Sequence, residues 1–104
     1  MTARDELLKN GWDTFWVEED EPRELLSKSF HLNGLIESAE VGIVIAKFAA
    51  KYHLEQDVNL SVSDWVTVVF LNAYNPGSLN DSFYALATDI QHYLDEHILL
   101  ERNR

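Results

Sequence analysis

A chain of 104 residues suits one domain with a modest core. Its 46% apolar and 12% aromatic content excludes a disordered polar tract, and the absence of cysteine excludes disulfides and thiolate chemistry. A formal net charge of -10 argues against binding nucleic-acid phosphates or anionic lipid; it fits a soluble protein that meets a basic partner surface, and equally serves plain solubility.

Thr2 caps a short first helix, with Asp5 and Glu6 at its positive end, and Asn10-Gly11 stops it. The N-terminal stretch is charged and leads into no long apolar segment, so the cytoplasm is the default location. Trp12 to Glu19 is rich in aromatic and β-branched residues and reads as a strand. Core packing is expected for at least two of Trp12, Phe15 and Trp16. The acidic stretch from Glu18, ending in Pro22-Arg23, is a charged turn that interrupts the strand.

Glu24 to Leu32 resumes as a strand. Leu26, Lys28, Phe30 and Leu32 share one face, and Ser27, Ser29 and His31 share the other. The long stem of Lys28 is expected to lie along the apolar face with its amine in water. Leu35 to Tyr52 carries apolar residues at helical spacing: Leu35, Ala39, Gly42, Ile43, Ala46 and Ala50. Val41, Val44, Ile45 and Phe48 widen that surface, so at least one broad side packs on a sheet.

Asp57 to Ser63 alternates, with Val58, Leu60 and Val62 opposed to Asn59, Ser61 and Ser63, the period of a half-buried strand. After a turn at Ser63-Asp64, Trp65 to Ala73 is more apolar and reads as a central strand paired in a hairpin. Its apolar run, Trp65 to Leu71, is too short to span a bilayer. Asn75-Pro76-Gly77-Ser78 is a turn, and Asn80 or Asp81 caps a last helix from Ser82 to Ile98. Phe83, Leu86, Ala87, Ile90 and Leu94 form its buried stripe, with Tyr84 and Tyr93 at the border.

The expected architecture is therefore α+β in one domain, 1–104. Its order is α-β-β-α-β-β-α, with three helices on one face of a four-stranded antiparallel sheet. That order, Gly11-Trp12 after the first helix, Phe30-His31-Leu32 leading into Leu35, and Ala46, Ala49 and Lys51 on the long helix resemble the pterin-4a-carbinolamine dehydratases. Asn75 to Asp81, Leu86-Ala87 and Ile90 extend the resemblance. It runs from Gly11 to Tyr93, with extra residues in both hairpins.

The family uses a His-His-Pro stretch after its long helix, a histidine after the fourth strand and an aspartate early in the last helix. Histidines suit that dehydration because they exchange protons near neutral pH. Here Leu54-Glu55-Gln56 stands at the first stretch, Tyr74 at the later histidine and Phe83 at the aspartate. A shifted alignment recovers only His53 or Asp81. The resemblance then implies a catalytically silent relative. It would act as a protein-binding or assembly factor, like the factors of this fold that help assemble RuBisCO, and would form a homodimer or homotetramer.

The alternatives are an enzyme with altered chemistry in the same cleft, or a weak dehydratase. Residues available to such an enzyme are His53, Glu55, Asp57 and Tyr74. His53 reads equally as a helix-end cation, and Glu55 and Asp57 as solvated groups beside a helix end. Glu18, Glu19, Asp20 and Glu21 form an acidic turn able to meet a basic partner, or simply a solvated loop. His92 and His97, five apart, do not share a helix face well enough to ligate a metal. No phosphate loop or nucleophile elbow is present, and neither metal nor cofactor is expected.

Overall fold

The structure is a computed structural model that describes residues 2–18, 21–71 and 79–96. Helix α1 (Ala3–Lys9) is opened by a capping box. The Thr2 side chain accepts from the Asp5 amide, and the Asp5 carboxylate accepts from the Thr2 amide. Strands β1 (Asp13–Val17) and β2 (Arg23–His31) follow, then helix α2 (Leu35–Lys51) and a 3₁₀ turn at Glu55–Asp57. Strands β3 (Val58–Val62) and β4 (Trp65–Phe70) lead to helix α3 (Asp81–Leu94), capped by the Asn80 side chain on the Ser82 amide at 3.0 Å.

The sheet order is β1-β2-β4-β3, antiparallel throughout. Two hairpins thus meet along β2 and β4, where Leu26 lies opposite Phe70 and Phe30 opposite Val66. The expected fold class and element order are those of the structure.

One core joins the inward residues of the sheet to all three helices. Leu26, Phe30, Val66, Val68 and Phe70 meet Leu7 of α1, Val41, Ile45 and Ala49 of α2, and Phe83, Leu86, Ala87, Ile90 and Leu94 of α3. Trp12, 1% exposed, packs edge-on to Phe30 with ring centroids 6.0 Å apart. The buried stripe read on the last helix is the one that packs.

Expectations for the early aromatics and for Lys28 are corrected. On α2 one broad side packs on the sheet, as expected: Ser38, Val41, Gly42, Ile45 and Ala49 are buried, whereas Leu35, Ala39, Ile43, Ala46 and Ala50 face out. With apolar residues all around the helix, spacing alone selects no side. Of the three early aromatics only Trp12 enters the core; Phe15 is 45% and Trp16 49% exposed. Lys28 does not send its amine to open water, because Nζ donates to the Asn10 carbonyl and to Gln91 Oε1.

β1 is shorter than the expected strand, starting at Asp13 and ending at Val17. The β4 ladder stops at Phe70; the expected continuation through Asn72 and Ala73, the turn at 75–78 and the helix end at 97–98 lie outside the described residues. No described helix is long and apolar enough to cross a membrane.

Candidate functional site

The sequence-derived site residues do not gather into one described cleft. His53 follows the last turn of α2 with φ 58°, a left-handed conformation that normally selects glycine. It closes a Schellman motif: its amide donates to the Ala50 carbonyl at 3.0 Å, and the Leu54 amide donates to that of Ala49 at 2.9 Å. The His53 side chain is exposed. Glu55 lies at the edge of a small pocket of about 80 Å³ with Ala46, Ala49, Val58 and Leu60. Asp57 is half-buried, and its backbone carbonyl accepts from the Leu71 amide at 2.7 Å. Tyr74 lies outside the described residues, as do Glu19 and Asp20; Glu18 and Glu21 are exposed.

Three polar clusters, unmarked by any motif, do assemble. In the first, Glu24 on β2 is only 3% exposed. Its Oε1 accepts from the Tyr84 hydroxyl at 3.0 Å and from the Leu79 amide at 3.3 Å, and its Oε2 lies 3.6 Å from Arg4 Nη2. Arg4 also donates to Thr14 Oγ1 at 3.4 Å. Burial and then the Glu24 carboxylate push the Tyr84 phenol up to about 12. This cluster ties α1 and the start of α3 to the sheet. The readable signal was parity: Glu24 stands two residues before Leu26, on the face that enters the core.

In the second, Gln91 on α3 is 5% exposed and makes three side-chain hydrogen bonds. Its Oε1 accepts from Trp12 Nε1 at 2.9 Å and from Lys28 Nζ at 3.0 Å, while Nε2 donates to Asp95 Oδ1 at 2.9 Å. Desolvation lowers the Lys28 pKa, with the charge of Asp95 opposing the shift. Asn10, Gln91 and Asp95 also line a cleft of about 200 Å³ between α1 and α3.

The third lies between α2 and α3. Tyr52 donates to Asp89 Oδ2 at 2.5 Å, and Lys51 Nζ stands 3.5 Å from the same oxygen. The hydrogen bond to Asp89 raises the Tyr52 pKa. Phe48, Lys51, Asp89, His92, Tyr93 and Glu96 bound an open depression of about 240 Å³. Among the described residues no set of three or more His, Asp or Glu side chains could hold a metal ion.

Two surfaces remain. Along α2 and the free edge of β3, Leu35 is 61%, Ile36 78%, Ile43 57% and Val62 40% exposed. On the sheet face away from the helices, Phe15 sits opposite Leu25, and Trp65 sits opposite His31 with ring centroids 4.7 Å apart. Ser29 and Thr67 are hydrogen-bonded at 2.8 Å between those pairs. Protein-family models, curated proteins and solved structures were compared with the chain, and none matches.

Proposed function

We propose that this chain is a non-catalytic, protein-binding relative of the pterin-4a-carbinolamine dehydratases that self-associates and serves as an assembly factor. The observation carrying this reading is the apolar surface along α2 and β3. Four large aliphatic side chains, Leu35, Ile36, Ile43 and Val62, are exposed there around the small residues Ala39, Ala46 and Ala50. A face with small residues admits close approach of a second backbone, and contiguous exposed apolar area of this kind is typical of interaction sites.

The neighbouring edge supports a second copy as its occupant. β3 is a terminal strand of the sheet, and its sequence Val58-Asn59-Leu60-Ser61-Val62 has neither charge nor proline to deter pairing. The charges nearby, Glu40, Lys47 and Glu55, are few and of mixed sign, so two copies meet there without the repulsion of the whole chain's -10. A two-fold axis beside β3 would continue the sheet across both copies. The exposed Glu18 and Glu21 would then remain free to steer a basic client.

Ile43→Lys in this surface is expected to convert a dimer or tetramer to monomer in sedimentation equilibrium, with circular dichroism unchanged. A monomeric parent protein would remove the self-association claim. In the same preparation, the pterin carbinolamine should dehydrate no faster than in buffer, and clear turnover would defeat the non-catalytic claim.

A further inference from the structure

β3 closes one side of the sheet, and its hairpin with β4 fixes which way each backbone group points. The Leu71 amide donates to the Asp57 carbonyl, and the Ser63 amide donates to the Trp65 carbonyl. Bonded positions alternate in an antiparallel ladder, so Asn59 and Ser61 also turn their amides and carbonyls toward β4. Val58, Leu60 and Val62 therefore point theirs away from the sheet, where no described strand pairs with them.

The same three residues turn their side chains to the helix layer. Val58 and Leu60 pack against the core, and Val62 Cγ2 lies 3.5 Å from where a Cβ on Gly42 of α2 would stand. Beside Val58 and Leu60 is the pocket of about 80 Å³, walled by Ala46 and Ala49. Val62 is 40% exposed. One end of the strand thus carries a hollow, and the other end an exposed branched side chain.

We propose that two copies join antiparallel along β3 with Leu60 on the two-fold axis. Leu60 is the middle residue of the strand Val58–Val62. An axis there sets Val58 opposite Val62 of the second copy and engages every outward amide and carbonyl of both strands. An axis at Asn59 would leave Val62 with no strand residue opposite, and an axis at Ser61 would leave Val58 so. The Leu60 axis also brings each Val62 to the mouth of the other copy's hollow, covering apolar surface at both ends.

The helices agree with this register. α2 packs over both β3 and β4. Its axis therefore stands one strand spacing, about 4.8 Å, from the two-fold axis. The two α2 helices come about 10 Å apart, the ordinary separation of packed helices. One like-charge contact opposes the pairing, because Asp57 of one copy stands opposite Ser63 of the other, next to its exposed Asp64. The inference rests on the self-association reading and specifies the residues that meet.

The chain has no cysteine, so introduced ones report alone. Asn59 and Ser61 are exposed. In this register they face each other across the axis with Cα atoms about 4.5 Å apart, within disulfide reach. A mixture of Asn59→Cys and Ser61→Cys proteins, left to exchange subunits and then oxidised, should give a covalent dimer of the two. Either variant alone should crosslink far more slowly, because like positions lie about 8 Å apart. Asp64→Asn should tighten the dimer about two- to tenfold in sedimentation equilibrium at low salt, and the gain should vanish at high salt.

Crosslinking of either variant alone at the rate of the mixture would move the axis and overturn the proposal. An unchanged or weaker Asp64→Asn dimer at low salt would overturn it too. A dimer with no crosslink in any arm would sink this register and leave self-association standing, whereas a monomeric parent protein would end both claims.

Discussion

Glu24 and Tyr84 lie 60 positions apart in the chain yet share a hydrogen bond. A carboxylate at 3% exposure is tolerated because a phenol, a backbone amide and the Arg4 guanidinium surround it. The Tyr84 proton is held more tightly in the folded chain, near 12, than at the ordinary phenol value of 10.0. The linked stability is therefore whole below pH 10 and declines as pH rises through 12. Tyr84→Phe should remove this component of the alkaline decline in urea midpoints and cost about 1–2 kcal/mol at neutral pH, because Glu24 loses a donor. An alkaline profile of the variant identical to that of the parent would refute the linkage. Glu24's inward position was legible from its parity with Leu26 and Phe30, but its partners were not, since none is local in sequence.

At the scale of elements, the end of α2 shows how a local geometry is chosen. Tyr52 caps the helix, His53 takes the left-handed turn and Leu54 tucks in at 9% exposure. The sequence marks the helix end poorly, because the residue at the glycine-favouring position is histidine. His53→Gly should stabilise the fold by about 1 kcal/mol in chemical denaturation, since it relieves the left-handed penalty of a residue with Cβ. A destabilised variant would mean that the imidazole makes contacts worth more than that penalty. The same element illustrates the limit of periodicity. Leu35, Ala39, Ile43 and Ala46 recur as regularly as Val41, Ile45 and Ala49, yet only the second set faces the sheet. The apolar surface left exposed on α2 is what gives the interaction reading its substance.

Over the whole molecule the decisive quantity is charge. Eighteen acidic residues against eight basic ones leave -10 on a 104-residue chain, so ion pairs such as Lys51–Asp89 can match at most eight of the carboxylates one to one with Lys or Arg. Self-repulsion then acts against the compact state and is screened by salt. The thermal midpoint should rise by several degrees between about 10 mM and about 0.5 M sodium chloride, well before any salting-out of apolar groups. A flat response would indicate that the charges are already compensated. Binding of a basic segment should reproduce part of that rise at low salt and lose it at high salt.

The amino-acid sequence by itself determined the element order, the two hairpins and the packed stripe of α3, because caps, turns and side-chain period are local properties that each segment carries alone. Tertiary structure alone decided which side of α2 is inside, that Phe15 and Trp16 stay out while Trp12 goes in, and that Lys28 meets Gln91 and Glu24 meets Tyr84. Those outcomes depend on which surfaces are brought together across long stretches of chain. An apolar or charged side chain acquires an inside or an outside, and a partner, only when the sheet and helices close on one another.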